Sequence, residues 1–467
     1  MKRIRLVLCL ILALATVLAF QPARADTGPV HTLVPIGSDY HSDTLQLFAR
    51  AAAQRDTNGT VDLLVIPATY GTDAYSTTNG ERQKNLSLAD NRRNQIEAAC
   101  NAVKSAGQAC RAVLAQVLIR PDSYLQSNLD LFVPDLDGMY VLGGDQTIGM
   151  QVLANTPFET AMGNAFAAGA VLSGNSAGAA VQSRNMINGY VGNNGPENGF
   201  QQGSVDLWLY GGPTDDTRGL YFGISNAIFE QHAFQRGRIA RLINTAFTTG
   251  LPGIALDAET GATIVDESTL GNVTGTTAAF IVDLQTFGAT GRFGGPTSSL
   301  AVHNVTTHVI PPGSFGYDIT HSRPTVDGRP LPAPTITGRS FDALRLPAGY
   351  GPLLLGGDLS GDRSGLAAQR FVSLSGGAAS RLVVLAIGYA RNTDAQADAK
   401  AWASALQSQG TTPVQWYVVD PKVNKAAIVS ALGSSTGVLV TAPDQSLVLS
   451  AFTGAPEITA AIQNAWA

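Results

Sequence analysis

Ala170-Val-Leu-Ser-Gly-Asn-Ser-Ala-Gly-Ala-Ala180 joins a short apolar run to a glycine-flanked serine and then to small, helix-compatible residues. A strand that turns sharply into a helix has this form. A nucleophilic serine on such a turn projects from a strained backbone, and glycine on both flanks gives the chain room. The following helix would point its N-terminus at Ser176. Its N–H groups, beginning with that of Ala177, could then face a developing oxyanion. A plain Gly/Ser-rich turn uses the same letters in a chain with 50 glycines, so the neighbouring sequence has to choose between the two.

Outward from Ser176, strands alternate with helices. Val34–Ile36, Val61–Ile66, Ala112–Ile119 and Gly138–Leu142 read as strands. Thr44–Gln54 and Leu88–Ala106 read as helices, the second stopped by Gly107. This alternation predicts an α/β fold, a mostly parallel sheet with helices on both faces. Ligands in such sheets bind beyond the strand C-termini. Gly37-Ser38-Asp39, Gly143 to Gln146 and Ser176 all lie there and should converge on one edge. Residues 183–230 are Gly/Asn-rich and less regular. Arg236–Phe247 reads as a helix, Gly253–Leu256 and Ala262–Val265 as short strands, and 278–310 as further β-like segments. Residues 323–350 are rich in Pro, Gly and Arg and read as a linker.

The C-terminal part repeats the first. Leu353–Asp358 mirrors Leu33–Asp39, and Leu382–Ile387 mirrors the strand at Leu63. At a constant offset of 299 residues, Asp444-Gln445 falls on Asp145-Gln146, Pro456 on Pro157 and Thr459 on Thr160. The last residue, Ala467, matches Ala168, so this repeat holds no counterpart of Ser176. The expected organisation is a signal peptide over 1–25, a catalytic domain over 26–322, the linker over 323–350 and a truncated α/β repeat over 351–467.

The leader reading rests on basic Lys2, Arg3 and Arg5, an apolar Leu6–Phe20 and a small-x-small Ala23-Arg24-Ala25. The apolar run is short for a span of about 20 residues. Cleavage predicts a secreted or periplasmic protein with no remaining membrane segment. It also leaves 26 basic against 35 acidic residues, with no basic face for nucleic acid. Cys100 and Cys110 remain, either as a disulfide or as two buried thiols. No Cys/His cluster has metal-ligand spacing, so no metal and no cofactor are expected.

Ser176 needs a base and a group that orients it. His232 stands after a loop, at the mouth of a helix, in Glu230-Gln231-His232 followed by Arg236, Arg238 and Arg241. His31, His303, His308 and His321 lie in polar or β-like segments, and His41 follows the first strand. Asp257 and Glu259 end a strand and are both candidate acids.

Gly143-Gly-Asp-Gln146, Gly174-Asn-Ser-Ala-Gly-Ala179, Glu230-Gln-His232 with Gln235-Arg-Gly-Arg238, and Gly253-Ile-Ala-Leu-Asp257 come in the order and spacing of cyanophycinases. The resemblance covers about residues 30–315. Those serine peptidases, related to aspartyl dipeptidases, have a fold like that of class I glutamine amidotransferases, with serine at the elbow. They cleave cyanophycin, a polyaspartate bearing arginine, into β-aspartyl-arginine dipeptides. The resemblance implies Ser176 as nucleophile, His232 as base, and Glu259, or else Asp257, as acid. It implies oxyanion donors at Gly144 and Ala177. It implies substrate contacts from Asp145, Gln146, Glu230, Gln231, Arg236, Arg238 and Arg241, the arginines taking aspartate carboxylates. The chain departs from the family at Asn175, where threonine is usual, at Glu230, where aspartate is usual, and at Ala258, which separates the two acids. An aspartate-rich polymer is the expected partner, and a homodimer is allowed.

Two other readings share some of these features. An α/β-hydrolase esterase would run Ser176, Asp257, then His303 or His308. A non-catalytic peptide-binding protein would keep the turn and lose the chemistry.

Overall fold

A computed structural model describes residues 29–212, 214–294, 298–332, 350–357, 359–411, 414–420 and 425–467. The leader read at 1–25 and the 333–349 part of the linker lie outside them. The chain divides into two units between residues 334 and 335.

The apolar runs of the first unit become five strands: β1 (Thr32–Ile36), β2 (Thr60–Ile66), β3 (Ala109–Leu114), β4 (Gly138–Val141) and β5 (Val171–Asn175). They lie in the order β3-β2-β4-β5-β1, every neighbour parallel. Their side chains alternate between two cores, which is why the runs are apolar without a polar face. Leu33, Leu64, Ile66, Met139, Val141 and Leu172 enter one core. Val34, Ile36, Leu63, Val65, Tyr140 and Val171 enter the other. Helices α1 (Ser42–Ala53) and α2 (Asn79–Val103) close the second core with Phe48, Ile96 and Cys100. Helices α3 (Gln146–Leu153) and α4 (Pro157–Ala167) close the first with Met150, Leu153, Phe158 and Met162. Helix α2 starts well before Leu88. Its opening turns are polar and carry no apolar period, but Thr78 caps them by accepting the Glu81 N–H at 3.2 Å. Cys100 near the end of α2 is disulfide-bonded to Cys110 in β3, with Cα atoms 6.0 Å apart.

Beyond Ser176 come the one-turn helix α5 (Ala177–Ala180), the antiparallel pair β6 (Met186–Tyr190) and β7 (Val205–Trp208), then β8 (Ile228–Glu230), α6 (Ile239–Thr249) and β9 (Gly253–Ala255). Strands β10 (Thr260–Val265), β11 (Thr269–Gly275), β12 (Ala279–Asp283), β13 (Thr290–Gly294), β14 (Ser299–His303), β15 (Thr306–Ile310), β16 (Phe315–Asp318), β17 (Arg323–Val326) and β18 (Arg329–Pro330) follow. The main sheet continues from β1 through β10, β11, β16, β17 and β18, all antiparallel, to ten strands in total. It is therefore parallel on one half only, not mostly parallel. The cause is short connections: Asp266-Glu267-Ser268 between β10 and β11 is too brief for a crossover. The linker reading at 323 also fails there. Asp327 and Gly328 have φ of 50° and 71°, the two-residue turn of a hairpin, and β17 and β18 belong to the sheet. A separate sheet of order β15-β12-β9-β8 packs against α6.

The second unit holds β19 (Leu382–Ala386), β20 (Val414–Val418) and β21 (Gly437–Thr441), parallel and in the order β20-β19-β21. That is the order β3-β2-β4 again. Helices Gln445–Thr453 and Pro456–Trp466 repeat α3 and α4, and their starts sit 299 residues on. Leu353–Leu355 form no strand, against expectation, and Asp358 lies outside the described residues. In the first unit β1 is held between β5 and β10; no such pair of strands exists among the described residues of the second.

Candidate active site

Strand β5 delivers Ser176 to a turn with φ 53° and ψ −116°, a conformation costing on the order of 1–3 kcal/mol for a residue with a Cβ. Close packing holds it. A Cβ at Gly178 would lie 2.0 Å from the Val141 carbonyl oxygen, and one at Gly174 2.6 Å from the same atom. Glycine at both positions lets the turn sit directly on the end of β4. The Ser176 N–H donates to the Ile36 carbonyl at 2.9 Å, tying the turn to β1. Asn175, buried beneath, accepts the Gly143 N–H at 3.0 Å and the Tyr140 hydroxyl at 3.3 Å. Its amide thus latches the serine turn to the Gly143-Gly144 turn.

His232 follows β8, also at positive φ (52°), with its N–H directed at the Gly37 carbonyl at 3.3 Å. Its Nε2 is 2.8 Å from Ser176 Oγ. The ends of β5 and β8 therefore carry the two partners, 56 positions apart in the chain, to one spot beside the end of β1. Nδ1 meets Gln235 Oε1. This corrects the acid expected here, for neither carboxylate reaches the ring. Asp257 Oδ1 instead accepts the backbone N–H groups of Phe234 (3.1 Å) and Gln235 (2.9 Å). Glu259 turns at φ 54° and donates its N–H to the Ser38 carbonyl at 3.2 Å; the ring's second nitrogen is already taken by Gln235. Burial holds the His232 pKa below the usual 6.5, and the charges of Arg236 and Arg238 push the same way, against Gln235 and Asp39. The ring is neutral near pH 7 and can accept a proton.

Two backbone donors complete the spot. No hydrogen bond among the described residues uses the N–H of Ala177 or of Gly144. Both are available to a negatively charged oxygen.

The residues expected to touch substrate separate into two groups. Arg236 is exposed. The others are occupied within the protein. Asp145 caps α3, its Oδ1 accepting from Thr147 (2.7 Å) and Ile148 (3.3 Å). Gln146 Nε2 donates to the Asn188 carbonyl at 2.5 Å. Glu230 and Arg241 form a fully buried bidentate pair, with contacts of 2.5 and 2.7 Å, so neither is a substrate contact. The Arg241 guanidinium also lies 4.7 Å from the Tyr190 ring centroid. Gln231 is buried and accepts Arg238 Nη1 at 2.6 Å. Burial lowers the Arg238 pKa to about 10.

His303 pairs with Thr290 on a surface hairpin, and His308 faces Asp283 at 3.6 Å. Neither reaches Ser176, so the order Ser, Asp, His is not assembled. His41 caps α1. Among the described residues no cluster of His, Cys, Asp or Glu could hold a metal ion, and no helix is long and apolar enough to cross a membrane. Sequence reasoning missed Gln235 as the ring's partner and Asp39 as a charge beside it. Both lay in quoted motifs, Gln235 only three residues beyond His232.

Two solved structures are similar to this chain at low level. A peptidase from an acI-B1 Actinobacterium is 19% identical, covering 54% of this chain and 91% of its own, with a TM-score of 0.38. A protein assigned as peptidase E from Listeria monocytogenes EGD-e is 15% identical, covering 53% and 100%, with a TM-score of 0.31. The model of Peptidase family S51 matches residues 100–198, the stretch that carries both the Gly143-Gly144 turn and the Ser176 turn, and supports a serine peptidase.

Proposed function

We propose that this chain is an exported serine peptidase that hydrolyses cyanophycin to β-aspartyl-arginine dipeptides through an acyl-enzyme on Ser176. The observation that carries the chemistry is the 2.8 Å contact between Ser176 Oγ and a neutral His232 Nε2, beside two unused backbone N–H groups. Ser176 Oγ attacks the scissile carbonyl while its proton passes to Nε2. The carbonyl oxygen takes the electron pair and meets the N–H groups of Ala177 and Gly144. The Nε2 proton then goes to the leaving amine as the C–N bond breaks. Water repeats the sequence on the ester.

The substrate reading rests on the four ordered motifs and on charge. Exposed Arg236 offers a cation beside the nucleophile to a polymer of carboxylates. The Cys100–Cys110 disulfide supports an oxidising compartment, and with it the leader reading of 1–25. The class I glutamine amidotransferase type is the fold we assign, on the strength of five parallel strands with the elbow directly after β5.

The test is purified cyanophycin incubated with the enzyme, its products weighed by mass spectrometry. β-Aspartyl-arginine should accumulate, and Ser176→Ala should abolish both this and labelling by a fluorophosphonate. Labelling without cyanophycin breakdown would keep the hydrolase and remove the substrate.

A further inference from the structure

We infer that Gln235 is the positioning residue of this site: its side-chain amide, not a carboxylate, fixes the His232 ring, and Asp257 holds Gln235 in place. The inference rests on the serine-hydrolase reading of Ser176 and His232.

For Ser176 Oγ–H to donate to Nε2, that nitrogen must be bare and the ring proton must sit on Nδ1. The Oε1 atom opposite Nδ1 can only accept, so it selects that tautomer. The arm bearing Gln235 is an exposed turn tied by backbone hydrogen bonds. Arg236 N–H donates to the His232 carbonyl at 3.0 Å, Gly237 N–H to that of Phe234 at 3.1 Å, and Arg238 N–H to that of Ala233 at 2.7 Å. Asp257, only 8% exposed, grips the Phe234 and Gln235 N–H groups from the neighbouring strand end. The carboxylate thus acts on the backbone that carries the amide, one step back from the ring. During acylation the Nδ1 proton stays on its bond to Gln235 while Nε2 gains and then passes on the serine proton. No other group changes its proton count.

An amide offers the imidazolium a dipole where a carboxylate would offer a full charge. The charges of Arg236 and Arg238 oppose protonation of the ring; that of Asp39 favours it. Burial and the two arginines therefore hold the ring's pKa below its ordinary value, at the cost of a less stabilised imidazolium.

The experiment uses the full chain with p-nitrophenyl acetate, which reports on Ser176 and His232 without the polymer. It follows kcat and KM across pH, and titrates His232 by NMR in a Ser176→Ala background. Gln235→Ala should lower kcat on the order of 10- to 100-fold with KM within about threefold. Gln235→Glu should restore activity and raise both the acidic limb and the NMR pKa by about one unit, since a nearby negative charge favours the protonated ring. Asp257→Asn and Glu259→Gln should each cost less than about tenfold, against the roughly 10⁴-fold of a triad carboxylate. An unchanged kcat and acidic limb in Gln235→Ala, or a 10⁴-fold loss in Glu259→Gln, would overturn the inference. If a fluorophosphonate fails to label Ser176 in the unaltered chain, the hydrolase reading falls instead, and the NMR titration still decides whether Gln235 sets the ring.

Discussion

Ser176, the nucleophile we propose, is held at a positive φ by its surroundings. The positive φ of Ser176 is unfavourable alone and persists because the flanking glycines let the turn rest on the Val141 carbonyl. The smallest test is one methyl group. Gly178→Ala places a Cβ 2.0 Å from backbone oxygen, which cannot swing away as a side chain would. We expect a stability loss of at least about 2 kcal/mol and fluorophosphonate labelling slowed by roughly 100-fold or more, read by thermal melting and labelling rate. Labelling at the ordinary rate would mean that the turn need not be tight. Ser176, its glycines and His232 were legible because each stands in a short motif of unusual residues. Gln235 was not, because a glutamine in a polar turn has no marked signature. Its role comes from a turn that folds back three residues, together with Asp257 arriving from β9.

Elements decide which of the many charges are available. Arg238 and Arg241 lie three positions apart at the start of α6, a spacing that puts them on one helix face. Spacing alone cannot say what that face meets. It meets the end of β8, so Glu230 takes Arg241 completely, while Arg236, on the turn before the helix, stays exposed. Arg241→Met would leave the buried Glu230 carboxylate without its main partner and should cost about 3–5 kcal/mol in stability. Arg236→Ala should leave the melting temperature unmoved. It should slow cyanophycin cleavage roughly tenfold or more, the scale of one lost charge-assisted contact, and spare p-nitrophenyl acetate. Equal stability losses in the two variants would show that burial does not distinguish these arginines. Strand runs buried on both faces were legible as continuous apolar letters. The antiparallel half was not, since its strands are short, half polar and joined by turns; the Asp327-Gly328 hairpin reads as linker because Pro and Gly dominate its flanks.

At the scale of the chain, the offset of 299 residues survives as structure. The helix at Pro456–Trp466 has the bounds of α4 at that offset, and the three-stranded order recurs, so a few matched letters such as Pro456 and Thr459 mark a repeated element. Chemistry did not follow the fold. All six histidines lie before residue 351, so the second unit has no base with which to run the reaction proposed for the first. Its buried residues form their own clusters, around Leu382, Val384 and Trp402 on one side of its sheet and Val383, Leu385 and Ile458 on the other. The first unit likewise closes its cores with its own helices. Two units with separate cores should unfold as separate transitions. A chain ending at residue 332 should therefore keep fluorophosphonate labelling and p-nitrophenyl acetate hydrolysis within about twofold of the full protein, with one calorimetric transition missing. Loss of Ser176 labelling in that shortened chain, with its remaining transition intact, would show that the second unit shapes the active site rather than standing as an independent copy.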